Sequence, residues 1–168
     1  KVFLMHGNRD FLIGPFFEKR TGAILLEDPT LIEIYGKKIL LSHGDSLCVD
    51  DLEYQIFKNK IRHESWKNVF LKKSLNERIS IANEFRNESE LNKKNKSDEI
   101  MDVSTSEVDR TLIRFNYPDF FIHGHTHRPN NHSIHIDGHE MQRIVLGDWY
   151  EQGSYLTIDA SGIKTHKI

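Results

Sequence analysis

The chain has 168 residues, 38% of them hydrophobic and 29% charged, with a formal net charge of -2. That is enough for one domain with a real core, and the near-neutral balance gives no whole-chain reason to expect a nucleic acid partner. A single cysteine, Cys48, excludes an internal disulfide and fits a reducing compartment, and no run of about 18 apolar residues is present to span a bilayer.

In chain order, KVFLM is a short apolar run closed by His6-Gly7-Asn8, the pattern of a buried core strand feeding a loop. With a strand in place of a leader at Lys1, no signal peptide is expected, and the chain is expected to enter its fold part-way. Residues 11 to 22 carry a mostly helical pattern that stops at Thr21-Gly22. The stretch LIEIYGKKILLSHGD predicts two strands joined at Tyr35-Gly36-Lys37 and ending in a histidine loop. DFFIHGHTH repeats that scheme at 119–127. RIVLGDW, SYLTID and KTHKI predict closing strands, with turns at Glu151-Gln152-Gly153 and Ala160-Ser161-Gly162. The expected organisation is a core in two pieces, 1–51 and 101–168, interrupted by a helical insertion over 52–100.

The insertion differs in character. Between Lys58 and Arg86 eight Lys or Arg stand against three Glu. Trp66, Val69 and Phe70 share one helical face, and Leu71, Leu75, Ile79, Ala82 and Phe85 continue at helical spacing. Two or more amphipathic helices are expected. Their basic face is either a solvated surface over its own core or part of a cap, offering apolar groups to a lipid-like substrate and cations to phosphates or a membrane surface. Residues 87 to 99, NESELNKKNKSDE, predict a mobile loop or a loosely packed helix.

Six of the ten histidines fall between 123 and 139. Imidazole is a poor core-filler but a metal ligand and a base near neutral pH. Three apolar strands each end in a polar, glycine-containing loop, HGNRD, SHGD and HGHTH, and open α/β sheets bind ligands beyond their strand ends. One site built from three loops is the economical reading. His125 and His127 point at two neighbouring ions or bracket one; His43 supplies a third imidazole and Asn8 an amide oxygen. Such mixed donors suit manganese, iron or zinc, and no thiolate-rich set is present.

HGNRDF, HGD and GHTHRP, in this order, resemble the third, fourth and fifth signature blocks of calcineurin-like metallophosphoesterases. The resemblance implies an α/β fold, a β-sandwich flanked by helices, holding two metals about 4 Å apart for in-line attack on phosphorus. HGNRDFLIG, SHGDSLCVDDLEYQ, the helical insertion, IMDV, HGHTHRP and VLGDWYEQGS narrow it to one branch, the UDP-2,3-diacylglucosamine hydrolases of lipid A synthesis. That branch implies a helical cap insertion, Mn2+ as cofactor with two ions per complete enzyme, and cleavage of UDP-2,3-diacylglucosamine to UMP and lipid X. It also implies peripheral attachment to the cytoplasmic face of a Gram-negative inner membrane. The family opens with an Asp-x-His block and a Gly-Asp block whose aspartate bridges both metals. Neither block is in this sequence, so the N-terminal βα units are expected to be missing from it.

By the same resemblance Asn8, His43 and His125 hold one metal and His127 the other, with Arg9 and His125 as catalytic groups. Most members carry a histidine where this chain has Arg9. A guanidinium stays charged and cannot donate a proton, but it binds phosphate oxygens bidentately. That suits diphosphate cleavage, whose nucleotide phosphate leaves with less acid assistance than an alkoxide. Asp51 resembles a contact to the glucosamine, and Ser89, Lys93 and Lys96 align with substrate-binding positions on the cap, alongside Asn8, Arg9 and His125. The rival reading of Lys93 and Lys96 is a solvated charge run. His123 is expected to orient its neighbours. His132, His135 and His139 read as surface histidines, and Asp10 and Asp45 as residues that hold their loops. Two other functions stay open: a same-fold enzyme acting on a soluble nucleotide diphosphate, and an inactive fragment or scaffold lacking the first metal-binding motifs.

Overall fold

The computed structural model describes residues 1–97, 100–150 and 153–168. In chain order the elements are β1 (Phe3–Met5), α1 (Pro15–Thr21), β2 (Ile24–Leu26), β3 (Thr30–Ile34), β4 (Lys37–Ser42), a 3-10 turn (Asp45–Leu47), α2 (Leu52–Arg62), α3 (Glu64–Leu71) and α4 (Leu75–Asn95). Then come α5 (Thr105–Arg114), β5 (Phe120–His123), β6 (Asn130–Ile136), β7 (His139–Val145), β8 (Ser154–Asp159) and β9 (Gly162–Lys167). Two compact units result: 1–47 with 103–168, and 48–102.

The first unit is mixed α/β. Its five-stranded sheet runs β3-β4-β5-β7-β6. The three inner strands are parallel, and the outer two pair antiparallel to them. Strands β4 and β5 are covered on both faces and carry continuous apolar runs, Ile39-Leu40-Leu41 and Phe120-Phe121-Ile122. Alternate side chains point to opposite faces. Leu40, Phe121 and Met141 pack with Val108 and Leu112 of α5. Ile39, Ile122 and Ile144 face the other way, against Leu156, Ile158 and Ile163 of the β8-β9 hairpin. Tyr35-Gly36 and Asp137-Gly138 close two hairpins with both residues at positive φ, as two-residue primed turns require.

Two expectations in this unit need correction. KVFLM is a strand but not a buried one: β1 pairs in parallel with β2 as a separate two-stranded sheet, and Val2 and Phe3 are 67% and 54% exposed. Apolar composition makes a strand, whereas burial depends on what covers it. The helix over 11–22 is shorter, because Gly14 is extended at its N-cap, Pro15 opens it, and Gly22 ends it in the left-handed conformation. Of the expected turns, that at 160–162 joins β8 to β9, while Glu151 and Gln152 lie outside the described residues.

The second unit is three helices. Asp51 caps α2 by accepting the Tyr54 N–H, and Ser74 with Glu77 forms a complete capping box on α4. That box breaks the expected stripe: Leu71 ends α3 and Leu75 begins α4, so the two do not share one helix. The polar stretch is helical to Asn95, and Asp98 and Glu99 lie outside the described residues. Trp66 stacks on Phe70 at 4.8 Å, and Phe57 meets Phe85 edge-on at 4.9 Å.

Candidate metal centre

His43 follows β4 and Gly124 follows β5. The Gly124 N–H donates to the His43 carbonyl at 3.0 Å, continuing the parallel ladder one step past both strands. The rings of His43 and His125 then meet edge-on with centroids 5.0 Å apart. His125 and His127 both sit at positive φ, 69° and 55°. Non-glycine residues rarely adopt that conformation, and its cost must be offset by the surrounding loop. Gly44, at φ 105°, allows close packing beneath: a Cβ there would stand 2.9 Å from both the Gly124 carbonyl and Nδ1 of His123.

The HGNRD loop joins the same place. A Cβ on Gly7 would lie 3.2 Å from Nε2 of His43 and 3.3 Å from Oδ1 of Asp10. Asp10 accepts the Gly7 N–H at 2.5 Å, which fixes the loop as expected for that residue. Asn8 and Arg9 come next and are exposed, as is His127 in its own loop.

Two carboxylates complete the group. Asp28, His43 and Asp45 offer ligand atoms all within 4.8 Å of one another. Asp28 accepts from the Ser42 hydroxyl at 2.6 Å and from the His43 N–H at 3.2 Å. Asp45 is fully buried, with Oδ1 3.4 Å from Nδ1 of His43. That Nδ1 is itself buried and makes no hydrogen bond, so the contact is electrostatic. A carboxylate behind one imidazole nitrogen fixes the orientation of the ring. Nε2 of His43 is the ring nitrogen that faces the Gly7 loop, and Asp28 and Asp45 lie beside the same residue. Asp28 carries no sequence signal beyond a carboxylate before a proline. The donor set, imidazole with carboxylate and amide oxygen, fits a divalent cation.

His123 holds the platform under these loops. It is fully buried; Nδ1 donates to the Gly124 carbonyl at 3.0 Å, leaving Nε2 to accept from Arg143 at 3.1 Å. Of the hairpin histidines, His135 and His139 are exposed, the first 3.8 Å from Glu140 and the second stacked on Tyr117, whereas His132 is half-buried.

In the helical unit, Asp51 and Lys96 meet directly. Lys96 Nζ donates to Asp51 at 2.6 Å and lies 3.1 Å from Glu53. Burial works to lower the Lys96 pKa, but the hydrogen bonds to Asp51 and Glu53 outweigh it and hold it above the ordinary lysine value. Ser89 is half-buried on α4, and the side chain of Lys93 lies outside the described residues.

No protein-family model matches the chain. Curated relatives do. It is 42% identical over 174 residues to a UDP-2,3-diacylglucosamine hydrolase of Xanthomonas campestris pv. campestris, covering 99% of this chain and 70% of the relative. The chain belongs to the UDP-2,3-diacylglucosamine hydrolase family. Another member, from Xanthomonas oryzae pv. oryzae, is 45% identical over the same shares of both chains. The Stenotrophomonas maltophilia member is 44% identical over 96% of this chain and 67% of its own length. A solved archaeal phosphodiesterase overlays 99% of this chain and 68% of its own at 15% identity, with a TM-score of 0.43, which adds nothing to the assignment.

Proposed function

We propose that this protein hydrolyses the diphosphate of UDP-2,3-diacylglucosamine to UMP and 2,3-diacylglucosamine 1-phosphate (lipid X), in lipid A biosynthesis. What carries the reading is identity of 42% and 45% across 99% of the chain to proteins of that name. The convergence of His43, His125 and the Gly7 loop supports it.

In this reading Asn8, His43, His125 and His127 hold divalent metal, with Mn2+ as the proposed ion and two per complete enzyme. Bound metal supplies an activated water and neutralises charge on phosphorus. The protein's part is to bind and orient the diphosphate. Arg9 cannot lose its proton, so it serves as a fixed cation on the diphosphate oxygens, and the imidazole of His125 faces the same phosphate. Water adds to one phosphorus as the bond to the bridging oxygen breaks. Asp51 is a proposed contact to the glucosamine, and Ser89, Lys93 and Lys96 are proposed substrate contacts on the cap.

The substrate is an amphiphile of membranes, so the enzyme is placed on the cytoplasmic face of the inner membrane as a peripheral protein. Among the described residues no helix is long and apolar enough to cross a bilayer. The supporting feature is the second unit, where Val69, Leu75 and Ile79 are at least half exposed among basic side chains. The deciding assay measures UMP release from UDP-2,3-diacylglucosamine with manganese, beside His125→Ala. Release that vanishes in the variant is expected. Release only from a soluble nucleotide diphosphate would keep the metal centre and discard the lipid substrate.

A further inference from the structure

The sheet places a third loop beside the metal centre. β4, β5 and β7 are parallel neighbours, with Ser42, His123 and Val145 level at their carboxyl ends. The ladder continues past that edge on both sides of the His123 loop: the Gly124 N–H donates to His43, and the Leu146 N–H donates to the His123 carbonyl at 2.8 Å. The chain beyond Leu146 therefore emerges next to the loop that carries His125. Its next four residues are Gly147-Asp148-Trp149-Tyr150.

Trp149 and Tyr150 are 72% and 84% exposed. Their loop is nonetheless built. The Asp148 carboxylate accepts the Tyr150 N–H at 2.9 Å, a local turn that sets the backbone. The indole Nε1–H of Trp149 donates to the Ser154 carbonyl at 3.1 Å, at the start of β8. The one polar atom of the indole is thus used, and its orientation is fixed. A pinned indole with most of its surface open offers a π face and nothing else. Three residues separate Trp149 from Leu146, a reach of at most about 11 Å. Leu146 in turn lies one strand spacing, about 5 Å, from the His125 loop. That range suits a base joined through ribose to a phosphate held at the metal centre.

We propose that Trp149, with Tyr150 beside it, is the stacking platform for the nucleobase of the substrate. The proposal rests on the nucleotide-diphosphate reading above and adds where the nucleoside lies. Aromatic stacking tolerates any base, since each has a π face. The platform therefore grips the nucleotide half of the diphosphate without selecting uracil over another base. It is distinct in role from Arg9 and the histidines, which meet the phosphates.

The chain has two tryptophans, so Trp66→Phe leaves Trp149 as the sole indole. Titrating that variant with UMP should quench its fluorescence saturably, and ribose 5-phosphate, which lacks the base, should not. In Trp149→Ala, UMP affinity by calorimetry should fall about tenfold and KM for the lipid nucleotide should rise similarly, with kcat nearly unchanged. Trp149→Phe should restore most of both. If UMP leaves Trp149 fluorescence unmoved, or if Trp149→Ala keeps the wild-type UMP affinity, the platform falls while hydrolysis stands. Loss of vesicle binding with UMP affinity intact would also overturn it, making the pair a membrane contact. UMP binding that depends on Trp149 without cleavage of the lipid nucleotide would uphold the platform and sink the proposed substrate.

Discussion

The two units of this protein solve the burial problem differently. Residues 1–47 and 103–168 enclose a sheet covered on both faces, with Ile39, Leu40, Leu112 and Phe121 wholly out of water. Residues 48–102 bury Cys48, Ile61 and Phe70 but leave Leu52, Ile56, Val69, Leu71, Leu75, Ile79 and Leu91 at least 50% exposed. The first unit is a scaffold that holds donor atoms in place. The second is a set of well-capped helices with apolar surface to spare. Rigid elements hold ligands within the tolerance that metal chemistry needs, while an apolar helical surface fits acyl chains or a bilayer.

The contrast can be tested by matched substitutions. Phe121→Ala empties a fully buried site and should cost about 3–5 kcal/mol, whereas Leu75→Ala, at 63% exposed, should stay within about 0.5 kcal/mol. Denaturant unfolding of the two variants measures the difference. Equal costs would mean that Leu75 is covered in solution. Gly44→Ala is the next largest. Its Cβ would strike the Gly124 carbonyl and His123 from a backbone at φ 105°, so a loss of about 1–3 kcal/mol is expected together with weaker Mn2+ binding. Calorimetric Mn2+ affinity reads the second effect, and unchanged affinity would separate Gly44 from the metal loops. The smallest effect on stability belongs to Lys72→Glu with Lys73→Glu, within about 0.5 kcal/mol. The same pair should sharply weaken binding to anionic vesicles, and binding that survives would remove the proposed membrane role of residues 52–100.

Much of the site was legible because loop chemistry is local. HGNRD, SHGD and HGHTH each close an apolar run, and the structure brings His43, His125 and the Gly7 loop together at the ends of adjacent strands. The helices between Leu52 and Asn95 were legible from their helical period. The N-cap role of Asp51 had a signal too, an aspartate just before a helical run, and the Ser74-Glu77 capping box was written in the sequence across the expected apolar stripe. Asp28 was not legible. It reaches His43 only because β3 returns antiparallel to β4 and brings residue 28 beside Ser42 and His43, 14 and 15 positions away.

The sequence by itself therefore determined the strands, the caps, the primed turns and the donor-bearing loops, since each depends on neighbours a few residues apart. Tertiary structure alone decided what covers each face of the sheet, α5 on one side and the β8-β9 hairpin on the other. It also decided which loops stand side by side. His43, His125 and Trp149 share an edge because three parallel strands end level, and strand order is set by long-range pairing that no local pattern encodes.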